Sequence, residues 1–177
     1  PASSASPRPV ARTTTAEQNA TPGPASFFTA VGTCVHSDPS KPTGATPAAT
    51  GKPVVSYVGA EFCPFCAAER WSLVVALGRF GAFSGLALTT SSSTDAYPDT
   101  PTFSFRSATY QSQYLDFVPV ETSDRLQRAL ATPPATQRTA MTRFDQAGPI
   151  PFIALGARYY QVGPGHSPDP PAGTGWK

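Results

Sequence analysis

The stretch that most constrains this chain is Val54-Val55-Ser56-Tyr57-Val58-Gly59-Ala60-Glu61-Phe62-Cys63-Pro64-Phe65-Cys66, with the largely apolar run that follows to Phe80. It opens as a β-branched apolar run, the pattern of a buried strand. It then turns through Glu61 and Phe62 into Cys-Pro-Phe-Cys. Pro64 suits the first position of a helix, which makes Cys63 the residue that caps the helix start. A thiol there sits at the positive end of the helix dipole, beside backbone N–H groups without intrahelical partners, and both favour thiolate. Cys66 follows one helical turn later, where its sulfur can close back on Cys63. Strand, CxxC, helix is the layout of a dithiol–disulfide site.

A second constraint lies far along the chain, in Gly148-Pro149-Ile150-Pro151-Phe152-Ile153-Ala154-Leu155-Gly156. A proline inside a central strand removes a ladder donor, but at a strand's first residue the loss is small. An X–Pro bond goes cis for only about 0.5–1 kcal/mol. The expectation is a cis Ile150–Pro151 bond whose loop faces the Cys63 sulfur, with Ile150 offering backbone groups to an extended substrate segment. A CxxC after a first strand, with X–Pro at a late strand start, resembles the thioredoxin fold.

The resemblance narrows along Val58-Gly59-Ala60-Glu61-Phe62-Cys63-Pro64-Phe65-Cys66-Ala67-Ala68-Glu69-Arg70-Trp71 and its continuation to Gly81. It extends to Ser91-Ser92-Ser93-Thr94-Asp95, Tyr97-Pro98, Thr100-Pro101-Thr102-Phe103, Pro119-Val120-Glu121-Thr122 and Ile150-Pro151-Phe152. These segments, spanning about Phe27 to Gly163, are similar to the thioredoxin-like family called domain of unknown function 929, found in actinobacteria and some archaea. The resemblance implies an α/β thioredoxin-like fold with a central mixed sheet and a redox site. It supplies no substrate.

A chain of 177 residues is long enough for one domain with a substantial core. Charged residues are only 14 % and the net charge is +2, with no Lys/Arg run, so nothing points to nucleic acid. No stretch is long and apolar enough to cross a membrane as a helix, and no signal-peptide pattern is present. Pro1 is read as a processed or fragment start. Three cysteines, two of them in the CxxC, are a redox-site count and not a disulfide framework.

Residues 1–26 are rich in Pro, Ala, Ser and Thr and read as a disordered tether. The thioredoxin-like domain is expected over 27–163, beginning with the anchoring aromatics Phe27 and Phe28. Its central strand falls at 54–60, its first long helix at 64–80, fraying through Gly78 and Gly81, and a further strand at 86–90. Residues 91–122 read as an insertion holding a β-hairpin or two short strands around Arg106-Ser107-Ala108. A second helical zone is expected over 123–147, capped by Thr122 or Ser123 and interrupted at Pro133-Pro134. A closing hairpin over 152–155 and 158–162 turns at Gly156-Ala157. The tail, 164–177, is Pro/Gly-rich and lacks the closing amphipathic helix of a thioredoxin-like domain. Either the chain is cut short or that face is covered otherwise.

The expected activity is protein thiol–disulfide exchange, with Cys63 attacking and Cys66 resolving the mixed disulfide. Pro64, Phe65, Ile150 and Pro151 are the substrate-contacting candidates, and no cofactor is required. Partners would be protein thiols or disulfides and a separate redox partner. The tether and the family resemblance imply an extracytoplasmic, cell-envelope setting, with a membrane tether upstream. Two alternatives stand beside this reading. One is a binding or scaffold module whose disulfide stays closed. The other is a zinc site built from Cys63, Cys66, Cys34 and His36. Cys34 alone suits a small buried residue, and His36 and His166 suit loop surfaces.

Thioredoxins often carry a buried carboxylate six residues before the first cysteine. That position here is Tyr57, and Glu61 and Glu69 are the nearest acids, Glu69 being assigned an ordinary ion-pairing role. The Pro-Phe dipeptide resembles the Pro-Tyr of glutaredoxins, so reductase or isomerase activity is as compatible as oxidation.

Overall fold

A computed structural model describes residues 50–144, 148, 150–156, 159–165 and 167–168. The tether at 1–26, the segment 27–31, Cys34, His36, His166 and the end of the tail lie outside the described residues. Among the described residues ten elements follow in order. They are β1 (Val54–Gly59), α1 (Pro64–Leu77), β2 (Gly81–Ser84), β3 (Ala87–Thr90), β4 (Pro101–Ser104), β5 (Thr109–Ser112), β6 (Asp116–Glu121), α2 (Ala135–Phe144), β7 (Phe152–Leu155) and β8 (Tyr159–Val162).

The central sheet is mixed, in the order β6-β1-β7-β8. β1 runs parallel to β6, with Tyr57 opposite Pro119, and antiparallel to β7, with Val58 opposite Phe152. β8 pairs antiparallel with β7, turning at Gly156 with φ +59, as a tight hairpin needs. Alternation along β1 separates two cores, because successive side chains leave opposite faces of a strand. Val55 and Tyr57 join Leu73, Val74 and Leu77 of α1 with Phe83, Phe103 and Phe105. Val58 joins Phe152, Ala154 and Ala140 of α2. Among the described residues α1 thus covers one face of the sheet and α2 the other, and each large side chain fully buried there contributes about 1.5–3 kcal/mol. Among the described residues no helix is long and apolar enough to cross a membrane.

The region expected as one insertion over 91–122 divides. β4 and β5 flank Arg106-Ser107-Ala108, but they do not form a hairpin with each other. β4 pairs with β3 and β5 with β2, giving two small antiparallel sheets. Trp71 of α1 fixes the first of these, its Nε1 donating to the Pro101 carbonyl at 2.8 Å and its ring 4.4 Å from Phe103. The remainder of the region, Asp116–Glu121, is β6 of the central sheet. Pro119 disguises it, yet an edge strand tolerates a missing donor.

Two further expectations are corrected. α1 ends at Leu77 and not near Phe80, and Gly81 opens β2, where a Cβ would sit 2.3 Å from the Gln111 carbonyl oxygen. The segment 123–134 is not helical. Asp124 accepts from the backbone N–H of Leu126 and of Arg128, Ser123 bridges to Ala129, and Gln127 takes φ +62. Local side-chain bonds of this kind compete with a helix. α2 begins only after Pro134, where the proline ring no longer obstructs a preceding turn.

Candidate active site

β1 delivers the chain to Ala60, and a turn through Glu61 and Phe62 leads into α1. Backbone bonds fix that turn, from Glu61 N to the Ser123 carbonyl at 2.8 Å and from Ser92 N to the Phe62 carbonyl at 2.9 Å. Cys63 is the N-cap, in extended geometry (φ −77, ψ 121), and Pro64 follows directly. The Cys63 sulfur accepts the N–H of Cys66 at 3.3 Å, taking the place an oxygen usually fills at a helix start. The first turn holds no acidic side chain, so nothing on the helix offsets its positive end.

Both cysteines are free thiols, and they differ in exposure, Cys63 at 6 % and Cys66 at 0 %. Their titration diverges accordingly. The hydrogen bond from Cys66 lowers the Cys63 thiol to about 7 against the opposing effect of burial, helped by the N–H groups of Cys66 and Phe65 and the charge of Arg70. Burial pushes the Cys66 thiol well up, and the neighbouring Cys63 adds to the shift. One sulfur is therefore poised as the nucleophile and the other is held as a protonated thiol.

Behind Cys66 lies a buried polar group that sequence reasoning missed. Arg70, wholly buried, donates through Nε and Nη2 to both oxygens of Glu121 at 2.8 Å, and through Nη2 to the Ala60 carbonyl at 2.7 Å. Burial opposes the guanidinium charge, but the Glu121 carboxylate bonded to it outweighs that effect and holds the group ionised. Burial raises the Glu121 carboxyl, with Arg70 pulling the other way. Tyr57 lies under this pair, with the Arg70 guanidinium carbon 6.0 Å from its ring centroid. Burial drives its phenol well up, so it remains a donor. Gly59 permits the arrangement, since a Cβ there would lie 2.1 Å from the Tyr57 hydroxyl.

The acids considered from the sequence do other work. Glu61 accepts from the Ser104 hydroxyl, and Glu69, assigned to ion pairing, accepts from Gln161 Nε2 at 3.0 Å and Gly165 N at 3.2 Å. The readable signal was an arginine four residues after Cys66 in a helix with few charges.

Phe65 is half-buried and meets Tyr97 edge-on at 5.6 Å. The Ile150–Pro151 bond is cis. Pro151 is buried and its carbonyl accepts from Gly163 N at 2.9 Å. Because Phe152 stands opposite Val58, Ile150 and Pro151 lie at the sheet end from which β1 runs on to Cys63. The described residues contain no group of three or more His, Cys, Asp or Glu able to hold a metal ion; Cys34 and His36 lie outside them.

Residues 40–137, more than half the chain, match the family described as Domain of unknown function (DUF929). The chain belongs to this family. The DUF929 match takes in Cys63, Cys66, Arg70 and Glu121 and ends before Ile150. No curated protein and no solved structure matches the chain.

Proposed function

We propose that this DUF929 protein is a thiol–disulfide oxidoreductase of thioredoxin-like fold, acting on protein disulfides through Cys63 and Cys66. The observation that carries the reading is the asymmetry of the pair, one sulfur capping a helix start and the other enclosed behind it. The strand order β6-β1-β7-β8 and the helix after β1 support the fold assignment. The Cys63 thiolate attacks a substrate disulfide, forming a mixed disulfide and expelling one substrate thiolate, which takes up a proton. Cys66 gives up its proton and attacks the Cys63 sulfur. The Cys63–Cys66 bond forms, the second substrate thiol departs, and two electrons have passed to the substrate. The reverse sequence oxidises a substrate dithiol. Phe65 and the Ile150–Pro151 segment, at the same sheet end, supply the surface for an extended substrate chain. The Pro/Ala/Ser/Thr-rich composition of residues 1–26 and the family resemblance support an extracytoplasmic setting.

Insulin reduction with dithiothreitol as electron donor tests the proposal. Wild-type protein accelerates precipitation of the insulin B chain, Cys63→Ser abolishes the acceleration, and Cys66→Ser accumulates a mixed disulfide visible by mass spectrometry. Absence of turnover by the wild type with dithiothreitol, glutathione or a thioredoxin-reductase donor removes the proposal.

A further inference from the structure

Two buried polar groups beside Cys66 are incompletely satisfied. Arg70 Nη1 and the Tyr57 hydroxyl have no hydrogen-bond partner of good geometry among the described residues, although both residues are wholly buried. A buried donor left unpaired is costly, so two within one small cluster call for a function. Both belong to residues that interact with Cys66. The Tyr57 hydroxyl approaches its sulfur, and Arg70 stands one helical turn from it and interacts with it electrostatically.

The mixed-disulfide step creates the need. Cys66 must become a thiolate before it can attack Cys63, and it has no exposed surface through which water can stabilise that charge. The Arg70 guanidinium cannot swing away, because Glu121 and the Ala60 carbonyl hold it. Glu121 anchors Arg70 through both of its carboxylate oxygens. We infer that Arg70 and Tyr57 stabilise the Cys66 thiolate during resolution of the mixed disulfide, Arg70 as a fixed counter-charge and Tyr57 as a hydrogen-bond donor. This deepens the thiol–disulfide reading and rests on it.

The step balances without another reactant. The Cys66 S–H bond breaks, the sulfur–sulfur bond to Cys63 forms, the bond from Cys63 to the substrate sulfur breaks, and the leaving thiolate takes up a proton equivalent to the one Cys66 released. The titratable and charged groups around Cys66 are few. Cys63 caps α1, Arg70 lies on α1, Tyr57 on β1 and Glu121 on β6. Glu61 of the preceding turn faces Glu121, and Glu69 of α1 turns instead to Gln161 of β8. Tyr57 takes the place six residues before Cys63, and in this site a cation and a neutral donor replace a proton-accepting carboxylate.

The test separates the two half-reactions. Reduced protein is mixed with 5,5′-dithiobis(2-nitrobenzoic acid) in a stopped-flow instrument. The first thionitrobenzoate released reports attack by Cys63, and the second reports resolution by Cys66. In Tyr57→Phe, and in the paired variant Arg70→Met/Glu121→Leu, which leaves no buried charge unpaired, the second phase slows at least about tenfold at pH 7. Its pH profile moves up by about one unit, the shift equivalent to tenfold in thiolate fraction. The first phase changes by less than about threefold, reflecting the minor effect of Arg70 on Cys63. A merely structural role would not move the pH profile of the second phase. Tyr57→Phe keeps the ring in the core, so the test stands even if the paired variant folds poorly. An unchanged second phase in Tyr57→Phe overturns the inference and leaves the oxidoreductase reading intact. A wild-type protein that releases no second thionitrobenzoate overturns both.

Discussion

At the scale of single residues, the site turns on two sulfurs of the same chemical type held in opposite states. Cys63 gains from its position, since the Cys66 N–H and the unneutralised helix start both reward a negative sulfur. Cys66 loses by its position, because burial withdraws it from water. The rate of Cys63 alkylation by iodoacetamide should therefore follow a single ionisation with a midpoint of about 7, below the ordinary thiol value, and disappear in Cys63→Ser. Stability should move with the same proton. A thiol whose folded value is depressed contributes stability that is complete above the unfolded value of about 8.5 and is lost as pH falls through about 7. Urea denaturation of the reduced protein, compared with its Cys63→Ser variant, should show the difference growing from pH 7 to about 8.5.

At the scale of elements, the strongest tie between α1 and the sheet beyond apolar packing is Arg70 with Glu121, joining the helix to β6 across β1. Each partner is almost wholly shielded from solvent, so removing one leaves an uncompensated charge. Glu121→Ala should cost about 3–5 kcal/mol, read as a lower urea midpoint with an unchanged slope. Replacing both groups together, in Arg70→Met/Glu121→Leu, should recover most of that loss, because no lone charge remains buried. A Glu121→Ala protein as stable as wild type would show that the pair carries no stabilising link. Exposed pairs such as Arg125–Asp99 have no comparable effect, since water screens them.

At the scale of the whole molecule, the layers converge on one end of the central sheet. β1 leaves that end toward Cys63, β6 ends there at Glu121, and β7 begins there after Pro151. The side sheets brace α1 from outside, Thr102 Oγ1 donating to the Ala67 carbonyl at 2.7 Å. With Cys66 wholly enclosed, its sulfur presents no open face to a tetrahedral metal. Reduced protein dialysed against micromolar zinc should therefore retain well below one zinc per chain by elemental analysis. One tightly held zinc, lost in Cys34→Ala, would reverse the choice between dithiol and metal site.

Local chemistry made the CxxC motif readable in advance. A β-branched run, a proline at a helix's first position and a three-residue cysteine spacing each act within a few residues, so strand, cap and helix were legible from order alone. The late Pro151-Phe152 strand start was legible for the same reason. β6 was not, because Pro119 argues locally against a strand and only its edge position in the assembled sheet makes it tolerable. The partners of β4 and β5 were not legible either, since which strands pair is a long-range choice. Nor could order reveal that Tyr57, Arg70 and Glu121 meet behind Cys66, although β1, α1 and β6 each carry one of them. The sequence by itself determined where the two sulfurs sit on a helix start. Only the tertiary structure decided what surrounds them, because burial and charge pairing arise when segments 51 residues apart close over the same thiol.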